Sequence, residues 1–77
     1  MKESKYLKFF FAGYAHPRST TKVYDVISIR SSAILGHIRW YAPWRQYCFM
    51  PSPGCVFNVG CMRDIIAFIG ELMEERK

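Results

Sequence analysis

Between Ile34 and Pro51 the chain reads Ile-Leu-Gly-His-Ile-Arg-Trp-Tyr-Ala-Pro-Trp-Arg-Gln-Tyr-Cys-Phe-Met-Pro. Bulky side chains alternate with polar or small ones on both sides of Ala42-Pro43. A period of two is what a strand with one covered face requires. Proline presets φ near the value a turn position needs. The segment therefore predicts a β-hairpin, with strands over 34–41 and 45–50 joined at Ala42-Pro43. Ile34, Gly36, Ile38 and Trp40 fall on one face of the first strand, and Leu35, His37, Arg39 and Tyr41 on the other. In the second, Arg45, Tyr47 and Phe49 alternate with Gln46, Cys48 and Met50. Pro51-Ser52-Pro53-Gly54 ends it, because neither proline can donate to a ladder. The hairpin holds both tryptophans and two of the five tyrosines, so core and function are expected to meet here.

The flanking sequence must cover this hairpin. Residues 23–30 read as another strand, with apolar side chains on both faces, the pattern of a central position; Ser31-Ser32-Ala33 is the turn. Asn58 is a helix N-cap, and Asp64 lies close enough to the start to favour the helix dipole. Met62, Ile65, Ile66, Ile69, Leu72 and Met73 recur at helical spacing over 59–75 and predict the buried stripe. Glu71 and Glu75 repel at i,i+4, so packing must hold the last turn. Residues 1–22 read as an N-terminal arm in which Tyr6, Leu7 and Phe9-Phe10-Phe11 form an apolar knot before Gly13 and His16-Pro17-Arg18. The knot is compatible with an extra edge strand, a short docked helix or a disordered segment. The expected class is α+β: a three-stranded antiparallel sheet, β-β-β-α, with one C-terminal helix on a face. The arm covers 1–22 and a single domain 23–77.

A chain of 77 residues allows one domain and a core that hides only about 60 % of the unfolded surface. Bulky aromatics offset this, since each buries roughly 150–250 Å², and 17 % of the residues are aromatic. The net charge of +5 is uneven: residues 1–63 carry nine Lys/Arg against Glu3 and Asp25, whereas 64–77 carry two against four acids. A basic body with an acidic tail suits an anionic partner. Three cysteines, Cys48, Cys55 and Cys61, are an odd, sparse set for a secreted mini-protein. Lys8 interrupts the only signal-like apolar run, so a cytoplasmic chain with reduced thiols and no membrane span is expected.

No catalytic or metal constellation emerges. The spacing C-x6-C-x5-C lacks a zinc knuckle, and Cys48 and Cys61 are more simply read as small buried hydrophobes. A Cys61 thiolate at a helix start would need His37 as a base, and nothing brings the two together. The glycines form no phosphate loop. No enzyme activity, metal or cofactor is expected. Binding is better supported, because Arg39, Tyr41, Trp44 and Arg45 gather at one end of the hairpin, and Arg, Tyr and Trp dominate binding hot spots. Trp40 and Phe49 are assigned to the core. Trp44 is open to two readings, a lid folded over the core or an exposed contact.

The run Leu35-Gly36-His37-Ile38-Arg39-Trp40-Tyr41, then Trp44-Arg45-Gln46-Tyr47-Cys48-Phe49, a Pro-rich loop and Cys61-Met62-Arg63-Asp64-Ile65 resembles a family of short uncharacterised proteins of bacteria, phages and mobile elements. The shared hairpin motif is L-G-x-I-x-W-Y-x-x-W-R-x-Y-x-F, over roughly residues 23–75, with the arm outside it. The resemblance brings no established activity. At the level of fold alone, the order is similar to the sheet-plus-helix domains of integrase arms, which dock a sheet on DNA. The expected function is that of a phage or mobile-element accessory protein that occludes a host protein or nucleoprotein complex, as anti-defence or anti-CRISPR-like inhibitors do. The alternative is a DNA- or RNA-binding module using the basic aromatic face of the sheet.

Overall fold

The structure, a computed structural model, describes residues 4–76. Four strands, β1 (Leu7–Tyr14), β2 (Lys22–Ser28), β3 (Ile34–Tyr41) and β4 (Gln46–Pro51), form an antiparallel meander in the order β1-β2-β3-β4. The helix α1 (Val59–Glu75) packs on one face. The α+β class and the C-terminal helix are as the sequence predicts, but the sheet has four strands, not three.

The additional strand comes from the N-terminal segment. β1 pairs with β2 from Leu7 opposite Ser28 to Phe11 opposite Tyr24, slips at a bulge, and resumes with Gly13 opposite Val23. Gly13 sits at φ 112°, a conformation that side chains with a Cβ resist. The strand forms because Leu7 and Phe9 alternate with Lys8 and Phe10, so two apolar side chains reach the covered face while Lys8 stays in water. Leu7 is 2 % exposed. Its addition makes β2 a central strand, which accounts for apolar residues on both faces of 23–27.

The β3–β4 connection also departs from expectation. Ala42–Trp44 form one 3-10 turn and Arg45 follows in the left-handed region at φ 53°, so the loop is Ala42–Arg45 and β4 starts at Gln46. Arg45 is therefore a loop residue, not the first residue of a strand. Four loop residues preserve the alternation, so Tyr47 and Phe49 still share the covered face with Ile38 and Trp40. Pro51 closes β4 opposite Gly36, on an edge strand where a missing N–H is tolerated.

The core joins Leu7, Val26, Ile38 and Tyr47 of the sheet to Cys61, Ile65, Phe68 and Leu72 of α1. The Phe68 ring stacks on Phe9 at 4.3 Å and 3° and meets the Tyr24 ring edge-on at 4.7 Å. Trp40 and Phe49 are partly buried against this cluster, as expected of core residues. Under Phe49 the sheet has no room for a side chain on β3: a Cβ on Gly36 would lie 2.6 Å from the Met50 carbonyl oxygen and 2.7 Å from the Phe49 ring. The N-cap is as predicted, with Asn58 Oδ1 accepting from the Cys61 N–H at 2.7 Å.

The buried stripe of α1 is rotated from the predicted one. Cys61, Ile65, Phe68 and Leu72 are buried and Ile69 and Met73 half-buried, whereas Met62 and Ile66 are exposed. Phe68, the bulkiest side chain of the helix, sets the rotation by filling the space between Phe9 and Tyr24, a space that exists only once β1 is in place. The flank of α1 nearest β1 is tied down by polar contacts. Ser4 Oγ donates to Asp64 and accepts from the N–H groups of Tyr6 and Leu7, and the Lys22 ammonium pairs with Glu75 at 3.0 Å.

Candidate interaction surface

Because α1 covers only one face, every second residue of each strand is presented on the other. Register across the meander sets Phe10, Asp25, His37 and Met50 in one row through all four strands. Lys8 is opposite Ile27 and Ile27 opposite Ile34 in a second row. Arg39 opposite Cys48, and Tyr41 opposite Gln46, carry the face toward the hairpin tip. This open face is mixed: Phe10 and Ile34 are about half exposed, while Lys8, His37 and Arg39 supply basic groups. At its centre His37 Nδ1 lies 2.8 Å from Asp25 Oδ1. An ionised carboxylate can only accept, so Nδ1–H donates and the second ring nitrogen stays available as an acceptor in the neutral ring.

The structure places the sequence-predicted site residues as follows. Arg39 and Tyr41 share the open face. Trp44 stands at the tip, 67 % exposed, with its ring edge-on to Tyr41 at 5.1 Å; it does not fold over the core. Arg45 is exposed at the end of the same loop. Neither Arg39 nor Arg45 has an ion-pair partner among the described residues. Tyr41 and Trp44 are thus in contact, and the two arginines are brought to the same end of the sheet. Sequence reading missed Lys8, Phe10 and Asp25 on this surface; Lys8 between Leu7 and Phe9 is the one local signal of the alternation, because Phe10 lies between two further phenylalanines.

The cysteines divide differently from expectation. Cys61 is buried on the covered side, but Cys48 is only half-buried on the open face, beside Arg39. His37 and Cys61 lie on opposite sides of the sheet, so they form no nucleophile–base pair. Among the described residues no three His, Cys, Asp or Glu side chains gather as a metal site. No helix among them is long and apolar enough to cross a membrane.

A second feature lies on the covered side, a shallow cleft of about 320 Å³ lined by Thr20, Lys22, Tyr47, Leu72, Glu75 and Arg76. Its cations are already engaged. Glu75, by hydrogen bond and by charge, raises the Lys22 pKa above the ordinary lysine value, and the Arg76 guanidinium lies 4.2 Å over the Trp40 ring. Burial likewise pushes the Tyr24 phenol upward. The cleft reads as part of the scaffold, and the open face as the surface free to bind.

The chain is 34 % identical over 77 residues to the "Uncharacterized 9.3 kDa protein" of Acholeplasma phage L2, in a match that covers 100 % of this chain and 96 % of that one. The chain belongs to that phage protein's family. The match takes in the N-terminal segment as well as the hairpin and helix, so the segment that forms β1 lies inside the region of similarity and not outside it. No family model matches the chain, and no solved structure matches it.

Proposed function

We propose that this protein is a non-enzymatic phage accessory factor that acts by covering a functional surface of a host protein or nucleoprotein complex, in the manner of an anti-defence or anti-CRISPR-like inhibitor. The observation that carries the reading is the continuity of the uncovered sheet face with the Tyr41–Trp44 pair at its tip. Arg39 and Arg45 flank a tryptophan that the core does not use, and such residues carry most of the energy at protein interfaces. The apolar members of the face, Phe10, Ile27 and Met50, suit a desolvated contact centre more than a phosphate backbone. Family membership with a phage protein fits a host-directed role.

A second reading, direct binding of DNA or RNA through the same face, is favoured by one observation: Lys8, His37 and Arg39 outnumber the single acid Asp25 on the strands, in a chain of net charge +5. Salt separates the two, because phosphate contacts make affinity fall steeply with salt and an aromatic protein contact does not.

The test is capture of partners from the native host with and without nuclease, followed by affinity against salt for wild type, Trp44→Ala, Arg39→Glu and Arg45→Glu. The proposal expects nuclease-resistant capture with a shallow salt slope. Trp44→Ala should weaken it by roughly 30-fold, the equivalent of a hot spot of about 2 kcal/mol, at unchanged melting temperature. Capture lost with nuclease establishes the second reading. Normal capture by all three variants removes this surface from the function.

A further inference from the structure

The two edges of the meander differ in what they leave for another strand. On β4 the Ser52 N–H donates to the Leu35 carbonyl, so even-numbered residues bond to β3 and odd-numbered ones turn their amides outward. Tyr47 and Pro51 are closed: the Tyr47 N–H reaches Met73 Sδ at 3.4 Å, and proline has no N–H. That leaves Phe49 as the one outward donor of β4. On β1 the Ile29 N–H donates to the Tyr6 carbonyl at 3.0 Å, in the same register that sets Leu7 opposite Ser28. Tyr6, Lys8 and Phe10 therefore bond to β2, while Phe9 and Phe11 aim their N–H and C=O groups away from the sheet. Among the described residues no strand lies on that side. An edge strand with a free ladder is a template for one more strand.

Local structure limits where such a strand can sit. The Leu7 N–H, which points the same way, is taken by Ser4 Oγ at 2.9 Å. At the other end the bulge between Phe11 and Gly13 interrupts the regular ladder. The open stretch is 8–12, and its centre is Phe10. About that centre Lys8-Phe9-Phe10-Phe11-Ala12 complements itself in the antiparallel sense. Laid on a second copy, it sets Phe10 opposite Phe10, Phe9 opposite Phe11 and Lys8 opposite Ala12. Each Phe9–Phe11 pair joins two outward-facing residues, so it exchanges both of its hydrogen bonds. Long Lys8 meets the smallest side chain of the stretch, and the two lysines stay apart. A register centred on Lys8 would instead set like charges face to face. Phe10, 51 % exposed in the monomer, gains an aromatic cross-strand neighbour at a position where the two Cα atoms lie about 4.5 Å apart. Because β4 offers too few donors to continue a sheet, β1 against β1 is the pairing that satisfies both chains, and it closes at two.

We propose that the protein self-associates as a two-fold dimer by antiparallel pairing of β1 with β1 of a second copy, over residues 8–12 and centred on Phe10. The axis stands perpendicular to the sheet, so both helices lie on one side and the two open faces join into a single surface.

A strand contact this short lies below the size of most specific interfaces, so the dissociation constant is expected near ~100 µM. Sedimentation equilibrium of the full chain from about 1 µM to about 1 mM spans that value, and the wild type should pass from monomer to dimer across the range. Phe10→Lys sets two charges against each other at the axis and should weaken the dimer at least ten-fold at an unchanged monomer melting temperature. Phe11→Pro removes a donor that β2 does not use and should weaken it as much. Amide hydrogen exchange locates the contact: at dimer concentrations the Phe9 and Phe11 amides should slow at least ten-fold, whereas those of Lys8 and Phe10 are protected in monomer and dimer alike. Trp44→Ala should leave the dimer intact; its loss there would move the contact to the hairpin tip and overturn the proposal. A chain that stays monomeric throughout, including one whose edge accepts a strand of a different protein, overturns it as well. So does a dimer that survives Phe10→Lys, or one in which the Phe9 and Phe11 amides exchange as fast as in the monomer.

Discussion

The two faces of the sheet are built from the same four strands, yet they answer to different demands. On the covered face Leu7, Val26, Ile38 and Tyr47 lock against Phe68 and its neighbours, and each side chain is constrained by the shape of the next. On the open face Phe10, Met50 and Ile34 sit among Lys8, Asp25, His37 and Arg39, with no second layer above them among the described residues. A fold that needs only one face covered leaves the composition of the other unexplained by stability. Aromatic and basic side chains there are consequently informative about contacts outside the chain, whereas equally large side chains beneath the helix are not.

The sharpest way to break this contrast is to truncate one phenylalanine on each face. Phe68→Ala is expected to cost about 3–5 kcal/mol, a large part of a small domain's stability, whereas Phe10→Ala should stay within about 0.5 kcal/mol. Urea unfolding measures both; equal losses would mean that the open face is core after all. A smaller effect is expected from Gly36→Ala, which drives a Cβ into the Met50 carbonyl and the Phe49 ring. Overpacking of this kind costs about 1–3 kcal/mol, and an unchanged denaturation midpoint would show that Phe49 is free to move aside.

The smallest effect is a titration. Glu75 raises the pKa of Lys22, and burial raises that of Tyr24; in both cases the folded chain holds the proton more tightly than the unfolded one. Their contributions are fully present below the unfolded values, near pH 10, and are lost as pH rises through the folded ones. Melting temperature followed from pH 8 to 11 should be flat at first and fall above about pH 10. Tyr24→Phe should reduce the fall. A flat profile throughout would place both groups in water.

Period-two alternation makes β3 and β4 legible and sets the faces of 36–41 and 46–50. The bulge opposite β2 reverses the two residues before Gly36, so that Ile34 stands on the open face and Leu35 packs against the core. The Asn58 cap with the run to Glu75 gives the helix its limits. Two things stayed hidden for physical reasons. In Phe9-Phe10-Phe11 the residues for both faces are the same type, so the alternation that marks β1 disappears. The rotation of α1 depends on a pocket between Phe9 and Tyr24 that forms only across strands distant in sequence. Without β1 in the sheet, helical spacing alone places Ile66 on the buried stripe and leaves Phe68 off it, the reverse of what the structure shows. The candidate site was legible in the same proportion: the hairpin residues Arg39, Tyr41 and Trp44 emerged from local pattern, while Lys8, Phe10 and the Asp25–His37 pair needed the register.

Ser4 meets Asp64, and Phe9 meets Phe68, across nearly the whole chain, although each strand pairs only with its neighbour in sequence. The meander is thus assembled from local contacts of the kind that form quickly, but its aromatic face has no cover until α1 exists. During synthesis every strand is made before the helix. Leu7, Phe9 and Tyr24 must therefore wait, adjacent and unsheltered, for Phe68 to arrive. Exposed aromatic strands are the species most prone to aggregate. The interval between the completion of β4 and the docking of α1 is accordingly the vulnerable moment in the life of this chain, and the short connection from Pro51 to Val59 keeps it brief.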